Sequence, residues 1–147
     1  MKYSEAKSGR IFIIRLEDGD ILHECVEKFA AEEQIASASL ICLGGADAES
    51  TLIVGPKEGR AENIEPNEII FNHVREVTGV GTIFLNQAGH PTLHMHLACG
   101  RNDSTFTGCV RRGVKVWHVM EIVLYELKEC SAIRKCDLQT GFELLNP

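Results

Sequence analysis

Two histidines two residues apart, His94 and His96, stand in the stretch GHPTLHMHLACG from Gly89 to Gly100. Leu93, Met95 and Leu97 alternate with them, the period-2 pattern of a half-buried strand. Alternate residues share a face and lie ~6.6 Å apart along a strand rising ~3.3 Å per residue, so two imidazoles can converge on one ion. Neutral imidazole is the commonest biological metal ligand, and zinc takes it readily. The same pattern also describes a strand whose polar face happens to carry two histidines, and the pair alone weighs both readings evenly.

A metal needs a third donor. His118 sits centrally in the run from Val114 to Leu127, VKVWHVMEIVLYEL, where Val114, Val116, His118, Met120, Ile122 and Leu124 alternate strictly. An imidazole buried there is costly unless hydrogen-bonded or metallated. The favoured ligand set is therefore His94, His96 and His118, holding a divalent metal, zinc first, with an open fourth position for water. Cys109 in TGCV is the other candidate, although a buried small residue is the commoner role for a cysteine. Glu121 is one residue too far round the pleat to share the face of His118, and reads as a partner for a base or as a group orienting a ligand. His90 reads as an exposed turn residue and His73 as a polar neighbour of the site. Arg75 and Arg101 are candidates for holding an anion near the metal, or for salt bridges.

The elements that must position these residues follow from periodicity. RIFIIRL at 10–16 reads as a strand ended by Glu17-Asp18-Gly19. Asp20 is the expected N-cap of an amphipathic helix with Ile21, Leu22, Cys25, Val26 and Phe29 on its apolar stripe, where His23 and Cys25 read as packing residues. ASASLICLGG leads into Gly44-Gly45, expected as a tight turn or bulge, and ADAESTLIVG reads as the next strand. Residues 55–68 read as a loop. IIFNHVREVTGVGTIF reads as two runs broken around Gly79 and Gly81, where glycine implies a bulge or a close backbone approach. Asn86–Gly89 and Arg101-Asn102-Asp103 are turns on either side of the histidine strand. The end, SAIRKCDLQTGFELLN, reads as an edge strand, a turn at Gln139-Thr140-Gly141 and a tail. One helix among about eight strands with no βαβ rhythm predicts one α+β domain over 1–147, mostly antiparallel, with the helix on one sheet face.

Composition narrows the function. The 147 residues carry a net charge of −6 from 15 Lys+Arg against 21 Asp+Glu, a field that opposes DNA. Arg111-Arg112 and Arg134-Lys135 are adjacent basic pairs, and no basic run follows either. Six cysteines without a CxxC, no apolar leader and no long apolar run predict a cytoplasmic protein with reduced thiols and no membrane partner. A cupin adds a glutamate soon after its HxH, where Cys99-Gly100-Arg101 stands here. A zinc deaminase needs HxE with PCxxC, and neither occurs.

Several segments in order, HVREVTGVGTIF, LHMH followed by ACGR, TGCVRRGVKVWHVMEIVLYEL and the terminal TGFELL, resemble the PPC domain, conserved between plants and prokaryotes. The likeness runs from Arg10 to Leu145. It implies a mixed, mostly antiparallel sheet with one main packed helix, assembled as a homotrimer. Plant members often show a histidine where Cys109 stands. Prokaryotic members carry a DNA-binding label by analogy with plant proteins that bear an AT-hook, and no Arg-Gly-Arg-Pro hook occurs here. The function expected is a trimeric metal-binding protein with a binding or regulatory role. The alternative is a small metal-dependent enzyme using the open coordination position.

Overall fold

The computed structural model describes residues 1–61, 64–138 and 140–147. β1 (Lys7–Glu17) ends at the expected turn, but Asp20 does not cap the helix. Its carboxylate accepts the Glu17 backbone N–H at 2.9 Å, closing the turn instead. The helix α1 (Leu22–Glu32) follows Ile21 with no side-chain cap. Its first N–H, on Leu22, donates to the Val114 carbonyl at 2.9 Å, which supplies part of what a cap would.

β2 (Ser37–Ala46), β3 (Thr51–Pro56), β4 (Pro66–Ile70), β5 (Arg75–Leu85), β6 (Pro91–Arg101), β7 (Ser104–Val110) and β8 (Val116–Lys128) join β1 in one sheet. Its order is β1-β8-β2-β5-β6-β7-β3-β4, and every adjacent pair is antiparallel. The expected loop over 55–68 is thus partly strand at both ends, and its residues 62 and 63 lie outside the described ones. β9 (Ile133–Cys136) pairs with β10 (Glu143–Asn146), so the expected tail is the second strand of a ribbon. Of the turn expected there, Gln139 lies outside the described residues.

The glycines set two features. β5 runs unbroken through Gly79 and Gly81, and the chain breaks earlier, between Phe71 and Val74. The close backbone approach is met there: a Cβ on Gly79 would stand 2.6 Å from the His96 carbonyl oxygen, so the small residues let Met95 and Leu97 cross the sheet. Gly44-Gly45 is a bulge rather than a turn. Gly45 pairs with Trp117 but Gly44 with Met120, so β8 carries His118 and Val119 as extra residues against β2. A Cβ on Gly44, whose φ is 148°, would stand 2.6 Å from the Met120 Cα. The doubled strand needs that space.

α1 lays Leu22, Val26 and Ala30 on the face carrying Leu40, Leu93, Met95, Leu97, Met120, Ile122 and Leu124, all buried. Full burial of a side chain such as Leu22 contributes roughly 1.5–3 kcal/mol. One helix covers one face. Ile11, Ile13, Ile41, Leu43, Val80 and Tyr125 are exposed on the other, Ile13 at 79% and Val80 at 64%. Among the described residues no helix is long and apolar enough to cross a membrane.

Candidate metal centre

Two tight turns place the histidine strand. The Asn86 side chain accepts the N–H groups of Ala88 and His90, both at 3.0 Å, and so builds the β5–β6 hairpin. Asn102, at φ 52°, opens the two-residue turn between Arg101 and Ser104. That register puts Cys109 directly across from His96 on one side, while Thr82 and Val80 of β5 face His94 and His96 on the other.

Leu93, Met95 and Leu97 anchor β6 in the core and turn both imidazoles to the opposite face. β7 has ended by the level of Leu93, and Glu27 of α1 takes over, accepting the Leu93 N–H at 2.8 Å. The strand is therefore fixed from both sides, as a ligand-bearing element requires. The two rings stand 5.2 Å apart between centroids at 70°. One donor atom from each of His94, His96 and Cys109 lies within 4.8 Å of the others. Ligands on a tetrahedral zinc at ~2.0–2.3 Å stand roughly 3.3–3.7 Å from one another, so small side-chain rotations would close this set on an ion.

The electrostatics agree with ligation. Burial, then the positive charges of Arg111 and Arg134, then His96, lower the His94 pKa from its ordinary value. His94 is thereby biased to the neutral form that ligates metal. Two imidazoles and a sulfur suit borderline and soft ions, and no carboxylate joins the group among the described residues, which argues against magnesium or calcium.

Within one chain His118 is not part of this group. β2 and β5 lie between β8 and β6, three strand spacings of ~4.8 Å. The bulge moreover gives His118 a φ of 58° and turns it to solvent, against the alternation that predicts it buried. Its backbone N–H donates to the Asp18 carboxylate at 2.7 Å, and its ring meets Trp117 edge-on at 4.5 Å. The third potential donor beside His94 and His96 is Cys109 instead. Glu121 faces Leu43 and Arg15, on the neighbouring strands β2 and β1. His73 and His90 are exposed in the bends before β5 and β6.

The two arginines expected near the metal lie elsewhere. Arg75 is buried on the core face between Phe71 and Phe106, its guanidinium 5.1 and 4.5 Å from the two rings. Arg101 donates to the Val74 carbonyl at 3.0 Å. The guanidinium that does stand by the site is Arg134 of β9, which donates to Thr82 Oγ1 at 3.1 Å. Nothing in the local sequence of β9 announces that contact.

An eight-stranded antiparallel sheet, the one helix among the described residues across one face and a His-x-His pair beside a cysteine on the other define the class. The family model of the Plants and Prokaryotes Conserved (PCC) domain matches residues 3–128, and the chain belongs to that family. Its structure is similar to a plant- and prokaryote-conserved protein of Pyrococcus horikoshii, with TM-score 0.85, 24% identity, and coverage of 100% of this chain and 98% of that one. A metal-containing protein of Archaeoglobus fulgidus matches with TM-score 0.84 and 22% identity over 100% of both chains. A protein of Ralstonia eutropha JMP134 named as a candidate DNA-binding protein matches with TM-score 0.72 and 22% identity over 92% of this chain and 90% of that one. At these identities the likeness shows the fold. No curated protein matches the sequence.

Proposed function

We propose that this chain binds one divalent transition-metal ion, zinc first, through His94, His96 and Cys109, and works as a homotrimer in a binding or regulatory role. The observation that carries the reading is the convergence of three donors from the paired strands β6 and β7. The metal-containing relative from Archaeoglobus fulgidus supports it. Bound there, the ion would supply a Lewis acid with an open coordination position. That open position favours a second reading, a small metal-dependent enzyme. Six free thiols support a reducing compartment such as the cytoplasm.

Elemental analysis of zinc-loaded, desalted protein tests the metal. Wild type is expected to retain about one zinc per chain, as is a His118→Ala variant. His96→Ala and Cys109→Ser should each retain at least about tenfold less, since two ligands hold an ion weakly. Equal retention in all four proteins, or none in any, returns the histidines to a structural role.

The DNA-binding name of the Ralstonia relative is tested separately. A net charge of −6 and the missing AT-hook predict negligible affinity for duplex DNA at physiological salt. Submicromolar, salt-sensitive binding in a gel-shift titration would overturn that expectation.

A further inference from the structure

Arg134 is an arginine with 3% exposure and no ion pair among the described residues. Its position is fixed by three contacts. Nη2 donates to Thr82 Oγ1 at 3.1 Å, Nε to the Thr92 carbonyl at 3.4 Å, and the guanidinium carbon lies 5.7 Å from the Phe84 ring centroid. Thr82 is the cross-strand partner of His94, and Thr92 precedes it by two residues. The guanidinium is therefore held over the sheet face that bears both imidazoles, at the level of His94.

A buried arginine could simply brace the β9–β10 ribbon, and these three contacts do so. The surroundings argue for more. Arg111, two residues past Cys109, raises the positive potential further, and burial together with the Arg111 charge lowers the Arg134 pKa. Glu143 of β10 and then the Cys109 sulfur act against this, through space and without an ion pair among the described residues. A divalent ion held by two neutral imidazoles and one thiolate keeps a net positive charge, to which both guanidiniums add. A protein with an excess of acids has concentrated cations at this one spot and placed no carboxylate among the metal donors. A ligand anion would balance that charge.

We propose that the site takes a small oxyanion, a carboxylate or a phosphate, with one oxygen on the open position of the metal and another facing the guanidiniums of Arg134 and Arg111. This rests on the metal reading above and names its ligand class. Arginine suits the role because its planar fork matches the paired oxygens of such anions. Arg134 acts as the fixed, buried member and Arg111 as the exposed one that admits the anion.

The test uses protein loaded with cobalt(II), whose visible bands report the coordination sphere. Acetate and inorganic phosphate are titrated in separate arms at constant ionic strength, with chloride as control. Each oxyanion is expected to shift the cobalt bands saturably where chloride does not, and the arm saturating at lower concentration assigns the class. Arg134→Lys, which keeps the charge but loses the fork, should raise the midpoint at least about tenfold at unchanged cobalt content. Arg111→Gln, at an exposed position, should raise it severalfold and guards against a folding defect at Arg134. Full cobalt content with bands indifferent to both anions overturns the oxyanion ligand and leaves the metal site standing. So do variants that bind the anions as wild type does. Protein that takes up no cobalt overturns the metal reading, and this one with it.

Discussion

Glu126→Gln is expected to cost about 2 kcal/mol of stability at pH 7 and almost nothing near pH 2. Glu126 lies on the core face of β8 opposite Ala38, with 3% exposure. Its carboxylate accepts the Arg10 backbone N–H at 3.1 Å, Arg10 Nε at 2.8 Å and Nη2 at 3.1 Å, and pairs with Lys128 at 2.8 Å. Arg10 also donates to the Glu33 carbonyl at 2.8 Å, so the cluster ties β1, β8 and the end of α1 together. The Arg10 hydrogen bond foremost, then that of Lys128, hold the Glu126 pKa at about 2 from an ordinary 4.5. A folded pKa below the unfolded one means the native state holds fewer protons in this window. The stabilisation is then complete above the unfolded value and is lost as pH falls through the folded one. That difference corresponds to about 3 kcal/mol at most, and solvent screening at the half-exposed cations reduces it to about 2. Urea unfolding of both proteins at pH 7, 4 and 2 measures the gap. A gap that stays constant across this range would show that packing, rather than charge, is what Glu126 contributes.

Most of the candidate site is legible in the sequence, because its geometry is local. The alternation Leu93-His94-Met95-His96-Leu97 fixes the face, and the turn at Asn102 and Asp103 fixes the partner. A two-residue turn pairs Arg101 with Ser104, and counting outward pairs His96 with Cys109. The turn residues and the cysteine were both visible, so the register alone points to Cys109 over His118. His118 misled because its run alternates perfectly, and a bulge leaves no mark in the bulged strand itself. Its mark is in β2, where Gly44-Gly45 makes room for the doubled chain. Gly79 and Gly81 misled in the other direction: glycine usually ends a strand, but here it admits Leu97 and Met95 across a continuous one. Asp20 looked like a helix cap from its position, yet the Glu17 N–H competed for its carboxylate and won. Arg134 was beyond reach, since the ribbon's packing on β5 and β6 is tertiary and has no local code.

Ile41→Asp is expected to turn a trimer into single chains that still bind metal. Ile41 lies mid-sheet on the uncovered face, between Val123 of β8 and Val80 of β5. Around it Ile13, Leu43 and Tyr125 are exposed, and contiguous exposed apolar side chains are what protein–protein contacts cover. Association with further copies of the chain would cover it, and the number three comes from the family resemblance. An aspartate at the centre of such an interface buries an unpaired carboxylate in every subunit. Each costs several kcal/mol, enough across three subunits to dissociate the assembly. Val80 is also the cross-strand partner of His96, so the candidate site lies on this same face, with its three donors drawn from a single chain. Light scattering at micromolar concentration should give three times the chain mass for wild type and one chain mass for the variant. Elemental analysis of the same samples should give equal zinc in both. A monomeric wild type sinks the assembly. A monomeric variant that has lost its zinc would show instead that a neighbouring subunit completes the site.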